Sequence, residues 1–177
     1  LSGQIIRQIR IDVNDLEGIC VVSESLLAVV SEETNELLIV DYSGKVSERY
    51  SVILDGDINY GLEGVTYNNN LHQFYLVKEK SPSLLLDIDS NFKSLTKKTL
   101  NFSKDLSGIE YDSIENILWI LSDESQTISK CDLTGNVLQS FHFNVSKPEG
   151  IAIDYETNLI YIVSDSQQKL FIYKIPK

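Results

Sequence analysis

The sequence is poor in basic residues. Its 177 residues hold 15 Lys and Arg against 26 Asp and Glu, which gives a formal net charge of −11. Because binding to the nucleic-acid backbone needs clustered cations, we expect no nucleic-acid partner. The same deficit argues against docking on an anionic membrane surface, whereas metal ions, cationic ligands and basic partners are compatible with it.

Long apolar runs and cysteines are also scarce. The longest apolar runs, such as residues 26–30 and 117–121, are much shorter than the ~20 residues of a membrane-spanning helix, so we predict no membrane span within this chain. Cys20 and Cys131 are too few for a disulfide framework, and their apolar surroundings predict buried free thiols. The length and the ordinary globular composition predict a single domain or a single array of repeats.

The chain contains an internal repeat with two markers. Four segments share a glycine followed by Ile or Val, and these glycines are 46, 44 and 42 residues apart. An acidic residue preceded by Ser or Lys follows each glycine by 14 or 15 residues. The glycines are Gly18, Gly64, Gly108 and Gly150, and the second marker reads Ser31-Glu32, Lys78-Glu79, Ser122-Asp123 and Ser164-Asp165.

The segments between the markers predict short β-strands. Residues 74–77, 117–121 and 159–163 are rich in β-branched and aromatic residues and are bounded by turn residues. Four antiparallel strands, A to D from the inside outwards, in a repeat of about 44 residues are typical of a β-propeller blade. We therefore predict an all-β fold, a single β-propeller domain over 1–177 with four-stranded antiparallel blades. The repeats lie near 15–54, 61–102, 105–143 and 147–174.

The two ends of the chain match complementary parts of a blade. Residues 1–6 resemble residues 133–138, the turn and D strand of the third repeat, whereas the fourth repeat stops after its C strand. Residues 1–11 are therefore predicted to be an orphan outer strand, of which Gln4–Ile11 would complete the last blade of a closed four-bladed ring. The alternative is a larger, five-bladed parent that lacks its first strands here.

The markers resemble those of the SdiA-regulated, YjiK-like β-propellers of bacteria, which are related to NHL-type propellers. The resemblance rests on residues 61–64 with 78–82, on 105–108 with Glu110, and on 148–150. It implies one further blade before this sequence and a location in the bacterial cell envelope, periplasmic or anchored in the membrane outside this segment. It implies no established biochemical activity.

Carboxylates recur at two fixed positions of the repeat. The first precedes the repeat glycine at the start of strand A, and the second ends strand B. Because A and B form an antiparallel hairpin, both positions lie at the same end of a blade, and A strands line the channel of a propeller. We therefore predict seven carboxylates around one mouth of the channel, and we expect Glu110 to point into the channel. The seven are Glu17, Glu63, Glu149, Glu32, Glu79, Asp123 and Asp165; Ser107 takes the first position in the third repeat.

Such a cluster predicts a bound cation. Neighbouring carboxylates raise one another's pKa unless a cation neutralises them. Ca²⁺ takes 6–8 oxygen ligands in flexible geometry, whereas softer metals need His or Cys, which these positions lack. We therefore predict Ca²⁺ as the cofactor, with these seven residues and Glu110 as candidate ligands. The alternative is that the acidic residues form turns or pair with lysines such as Lys78 and Lys80, which flank Glu79.

Two classes of function fit these features. His72 and His142 lie in different parts of the repeat, and no Gly-x-Ser-x-Gly motif is present, so no catalytic residues are predicted. We expect a monomeric, envelope-associated binding or interaction module for a protein or small-molecule ligand. The alternative is a Ca²⁺-dependent hydrolase of the lactonase, phosphotriesterase or phytase-like kind, in which the cation is a Lewis acid and Glu or Asp the base.

Overall fold

The computed structural model describes residues 4–54 and 60–175, which contain 15 β-strands. No helix in these two ranges is long and apolar enough to cross a membrane. The strands are β1 Leu16–Val21, β2 Leu26–Ser31, β3 Glu36–Asp41, β4 Val46–Ser51, β5 Leu62–Asn68, β6 Gln73–Lys78, β7 Leu84–Asp89, β8 Leu95–Thr99, β9 Gly108–Asp112, β10 Ile117–Ser122, β11 Thr127–Cys131, β12 Val137–His142, β13 Pro148–Asp154, β14 Leu159–Ser164 and β15 Lys169–Lys174.

The strands form four antiparallel sheets in chain order. Strands β1–β4, β5–β8 and β9–β12 each make a four-stranded sheet, and β13–β15 make a three-stranded one. Each sheet is a blade of a β-propeller, which confirms the predicted fold. The fourth blade has A, B and C strands, as the repeat pattern predicts for the end of this sequence.

Apolar side chains of neighbouring blades pack against each other to form the core. Blades 1 and 2 share one cluster that includes Val30 and Leu76, and blades 2 and 3 share another. Blades 3 and 4 pack around Trp119, which is fully buried and donates a hydrogen bond from Nε1 to the hydroxyl of Tyr155 at 3.2 Å. Cys131 is buried and Cys20 half-buried, and both are free thiols.

The segment before β1 differs from the expected orphan strand. Residues 1–3 lie outside the described residues, and residues 4–15 form no strand. Ile11 and Val13 instead pack on an apolar cluster of the first blade, and the Arg7 guanidinium donates to the carbonyl oxygen of Tyr42. Gly44, in a turn of the same blade with φ of 89°, leaves room for the nearby Arg10 carbonyl. Burial on blade 1 therefore takes the place of pairing with blade 4.

The innermost strands touch at the repeat glycines. Strand β1 contacts β5, β5 contacts β9, and β9 contacts β13. A Cβ on Gly18 would lie 2.6 Å from the Cα of Gly64, and a Cβ on Gly64 would lie 3.1 Å from the backbone nitrogen of Ile109. A side chain at Gly18 would force the strands apart, and one at Gly64 would make a tight contact with β9.

Replacing Gly18 with Ala should therefore destabilise the fold. Overpacking of this kind typically lowers the free energy of unfolding by about 1–3 kcal/mol, measurable by urea denaturation. Gly108→Ala is the matched control, because its Cβ would lie at least 3.5 Å from its neighbours. Equal losses of stability in Gly18→Ala and Gly108→Ala would contradict this account of the contact.

Candidate functional site

One cavity of about 720 Å³ lies where the A strands begin and the B strands end. We call it the acidic mouth. Nine carboxylates and two lysines line it, together with Ser107. The carboxylates are Glu17, Glu32, Glu63, Glu79, Asp105, Asp123, Glu124, Glu149 and Asp165, and the lysines are Lys80 and Lys147. The structure thus brings seven of the eight predicted ligands to one cavity.

Backbone contacts between the two markers hold the carboxylates at one end of the blades. The amide of Glu32 donates to the carbonyl of Asp15 at 2.9 Å, and the amide of Glu79 donates to the carbonyl of Gly61 at 3.1 Å. Blades 1 and 2 are also joined here, since the Gly61 amide donates to Oε1 of Glu32 at 3.0 Å. The end of each B strand therefore lies beside the start of an A strand.

The marker glutamates lie at irregular points of the sheet. The pairing of A with B shifts register at Glu17, Glu63 and Glu149, between the paired positions on either side. An extra residue in one strand changes the direction of a side chain, and such bulges are common beside functional sites. The third blade has Ser107 at this position, and its β9–β10 pairing is regular from Gly108 onwards.

The carboxylates form close groups within the acidic mouth. The oxygens of Glu32, Glu63 and Glu79, which we call the central triad, lie within 4.8 Å of one another. Asp15, Glu17 and Glu32 form a second such group.

In a third group, Glu79, Asp105 and Glu124, two of the three carboxylates form ion pairs with Lys80. Lys80 Nζ lies 2.8 Å from Glu79 and 2.7 Å from Glu124, which raises the pKa of the lysine above its ordinary value. The backbone of Lys147 donates a hydrogen bond to Asp123, the residue before Glu124. In the described ranges, no ion pair joins a Lys or Arg to Glu17, Glu32 or Glu63.

Burial and like charges oppose ionisation of the glutamates that have no cationic partner. Burial, reinforced by Glu32, Glu17 and Glu79, raises the pKa of Glu63 to about 9. Partial desolvation in the mouth and the carboxylates of Asp15 and Glu32 raise the pKa of Glu17 to about 7, although part of its side chain is exposed. At neutral pH, Glu63 therefore holds a proton unless a cation takes its place.

Ser107 is an unusual polar residue at this mouth. It is only 4% exposed, and its Oγ has no hydrogen-bond partner among the described residues. A buried hydroxyl without a partner is unfavourable, and native proteins seldom keep one without a reason. Ser107 thus offers an unused hydrogen-bonding group at the cavity that the carboxylates surround.

Glu110 lies apart from the acidic mouth. It lines a separate cavity of about 290 Å³ between the innermost strands, together with Cys20 and Thr66. Burial raises the pKa of Glu110 to about 7, although a hydrogen bond with Thr66 opposes the shift. In the described residues, no close group of metal-ligating side chains includes Glu110.

A third cavity, of about 360 Å³, adjoins the acidic mouth and shares Glu17, Glu63 and Glu149 with it. We call it the apolar channel, because most of its other lining is glycine and aliphatic side chains. The aliphatic residues come from β1, β5, β9, β13, β14 and β15: Ile19, Val65, Ile109, Ile151, Ala152, Val163 and Leu170. The first and the last blade of the chain therefore both contribute residues to this cavity.

Comparison with known proteins identifies the family. Residues 1–173 match the sequence model of a family described as SdiA-regulated. The chain belongs to the SdiA-regulated family. The resemblance seen in the sequence markers is thereby confirmed.

Solved structures show the same fold as this SdiA-regulated chain. A chain in the crystal structure of a nidogen/laminin complex matches with a TM-score of 0.73 and 10% identity, over 94% of this chain and 62% of that one. Hydrazine synthase of Kuenenia stuttgartiensis matches with a TM-score of 0.66 and 14% identity, over 99% of this chain and 49% of that one. The SdiA-regulated chain thus spans less than two thirds of either solved chain, and the likeness concerns the fold alone.

Sequence reasoning missed two carboxylates of this SdiA-regulated propeller. Asp105 stands three residues before its repeat glycine, as Asp15 does in the first repeat, and Glu124 follows Asp123 as Glu33 follows Glu32. Comparing the repeats from three residues before each glycine to one residue after each second marker would have found both. Asp105 is buried and accepts hydrogen bonds from the hydroxyl of Ser122 and from the amide of Glu124.

The raised pKa values predict that stability falls as the pH rises. Between the ordinary glutamate pKa of 4.5 and the folded values near 7 and 9, the folded state binds more protons than the unfolded state. The free energy of unfolding should therefore decrease from about pH 5 to pH 9 when EDTA removes metal ions. Thermal melts across this range measure the effect.

Glu63→Gln should flatten this pH profile, because it removes the group with the larger shift. Glu48→Gln is the control, since Glu48 is exposed on β4 and does not line the mouth. A Glu63→Gln profile as steep as that of Glu48→Gln would show that the mouth does not cause the pH dependence.

Proposed function

We propose that this propeller is a binding module of the bacterial cell envelope and that its acidic mouth holds a Ca²⁺ ion. The observation that carries the proposal is the central triad, whose carboxylate oxygens lie within 4.8 Å of one another. Three like charges at this distance repel unless a proton or a cation lies among them. The envelope location is inferred from the resemblance of the sequence markers to those of bacterial cell-envelope propellers.

The ligand types favour calcium over other metals. Every ionisable group on the described lining of the mouth is a carboxylate or a lysine, so the His and Cys ligands that borderline and soft metals prefer are not among them. Ca²⁺ accepts 6–8 oxygens in variable geometry, whereas Mg²⁺ demands a tight octahedron. A wide cavity with several carboxylates and the Ser107 hydroxyl suits the larger ion better.

The distribution of lysines favours a position near blades 1 and 2. Lys80 already forms ion pairs with Glu79 and Glu124 on the side of blade 3. Glu32 and Glu63 have no such partner in the described residues, and burial opposes the ionisation of Glu63. A cation bound between these two would relieve the repulsion between them.

Calcium should therefore raise the melting temperature. A ligand that binds only the folded state adds about 2.7 kcal/mol at roughly 100 times its Kd. Melts in millimolar CaCl₂ and in EDTA measure the difference, and Glu63→Gln should lose most of it. Glu48→Gln should keep the full shift, because its side chain is exposed outside the mouth. Identical melts of the unmodified protein in CaCl₂ and EDTA would contradict the proposal.

The volume of the mouth supports a second candidate, a Ca²⁺-dependent hydrolase. A cavity of about 720 Å³ leaves space beside a bound cation for a small substrate, and an enzyme needs such an open coordination position. A screen of lactones and phosphate esters with Ca²⁺ tests this candidate. Turnover that EDTA and Glu63→Gln both abolish would favour the hydrolase over the binding module. Absence of turnover with every lactone and phosphate ester would favour the binding module.

A further inference from the structure

We propose that the acidic mouth and the apolar channel together bind a cationic amphiphile, a primary alkylammonium whose charged group lies among the carboxylates and whose stem fills the channel. The two cavities adjoin at Glu17, Glu63 and Glu149, which line both. This ligand goes beyond the proposed Ca²⁺ ion and does not require it.

The mouth carries more negative charge than its own lysines and one metal ion can neutralise. Nine carboxylates against two lysines leave a formal charge of −7 when all are ionised. One Ca²⁺ would reduce this only to about −5, so the surplus still attracts cations. An anionic amphiphile would meet this charge unfavourably, and a neutral one would leave the carboxylates without a partner.

The channel supplies the apolar half of the site. Ile19 on β1 is 61% exposed, and Val163 on β14 and Leu170 on β15 are 47% and 43% exposed, although all three line this cavity. Apolar side chains that face a cavity beside a charged rim are stabilised when an apolar stem displaces the water there. A hydrated metal ion uses the carboxylates but leaves these surfaces exposed.

Ser107 supplies an independent sign of a ligand. Its Oγ is buried and has no partner in the described part of the chain, and the residue lines the mouth. An ammonium group has three N–H donors and no acceptor, so it can donate to a hydroxyl as well as to two carboxylates. An amine with an apolar stem satisfies the carboxylates, the hydroxyl and the aliphatic walls together.

Calorimetric titration of the whole chain with butyl-, hexyl- and octylammonium tests the proposal. EDTA is present throughout, so the result does not depend on Ca²⁺. Each added methylene that enters the channel should tighten binding about fourfold. Hexanol and hexanoate, which carry the same stem without the positive charge, should bind at least tenfold more weakly than hexylammonium.

Variants separate the channel from other apolar surfaces. Val163→Thr keeps the shape of the side chain but adds a hydroxyl to the channel wall, and it should weaken hexylammonium binding several-fold. Ile172→Thr is the matched control, because Ile172 is 51% exposed on β15 but lies outside the channel lining. Ser107→Ala should weaken binding without lowering the melting temperature of the free protein, since the lost hydroxyl has no partner there.

Three outcomes would overturn the proposal: affinity that does not depend on stem length, hexanol binding as tight as hexylammonium, or equal losses in Val163→Thr and Ile172→Thr. Stem-length dependence together with loss in Val163→Thr alone would support it. Because Ca²⁺ binding is read from melts in CaCl₂ and this site from titrations in EDTA, failure of either leaves the other result standing.

Discussion

Strands β1 and β5 approach each other so closely at Gly18 and Gly64 that no side chain fits between their backbones. This contact fixes the spacing of the innermost strands, and the residue before each glycine is positioned by it. In three of the four blades that residue is a glutamate at a shift of register. The steric demand of the ring therefore sets where the carboxylates gather, before any ligand is considered.

The gathered carboxylates repel one another, and only those on one side of the mouth have a basic residue as a partner. Lys80 reaches from the loop after β6 to two carboxylates, and the Lys147 backbone donates to Asp123. Glu63 has no comparable partner in the described residues, and burial holds its pKa near 9. The interpretation of the acidic residues as lysine partners explains the first side, whereas the second side still needs a proton or a cation.

Most of the fold could be predicted because it depends on a periodic pattern. The recurrence of the glycine and of the acidic marker predicts the strands, their antiparallel pairing and the blade, since each repeat must meet the same packing requirements. It also predicts that the starts of A strands and the ends of B strands lie together, as the backbone bonds from Glu32 to Asp15 and from Glu79 to Gly61 show.

What could not be predicted depends on contacts that do not repeat. The segment before β1 lies on blade 1 because Ile11 and Val13 find an apolar surface there, a choice that the match to a D strand does not reveal. The direction of the Lys80 side chain decides which carboxylates have an ion pair, and the placement of Glu110 beside Thr66 puts it in a cavity between the innermost strands, apart from the other candidate ligands.

The third blade shows how one departure from the repeat changes the chemistry of the mouth. Where the other blades have a glutamate, it has Ser107 and regular pairing from Gly108, so one side of the ring is a small hydroxyl instead of a charge. The carboxylate of Asp105, two residues before Ser107, accepts hydrogen bonds from the Ser122 hydroxyl and the Glu124 amide and therefore has a structural role. Among the described residues the mouth is thus asymmetric, with carboxylates that have no lysine partner at blades 1 and 2 and a hydroxyl without a hydrogen-bond partner at blade 3. Such asymmetry suits an elongated or directional ligand better than a ring of identical charges would.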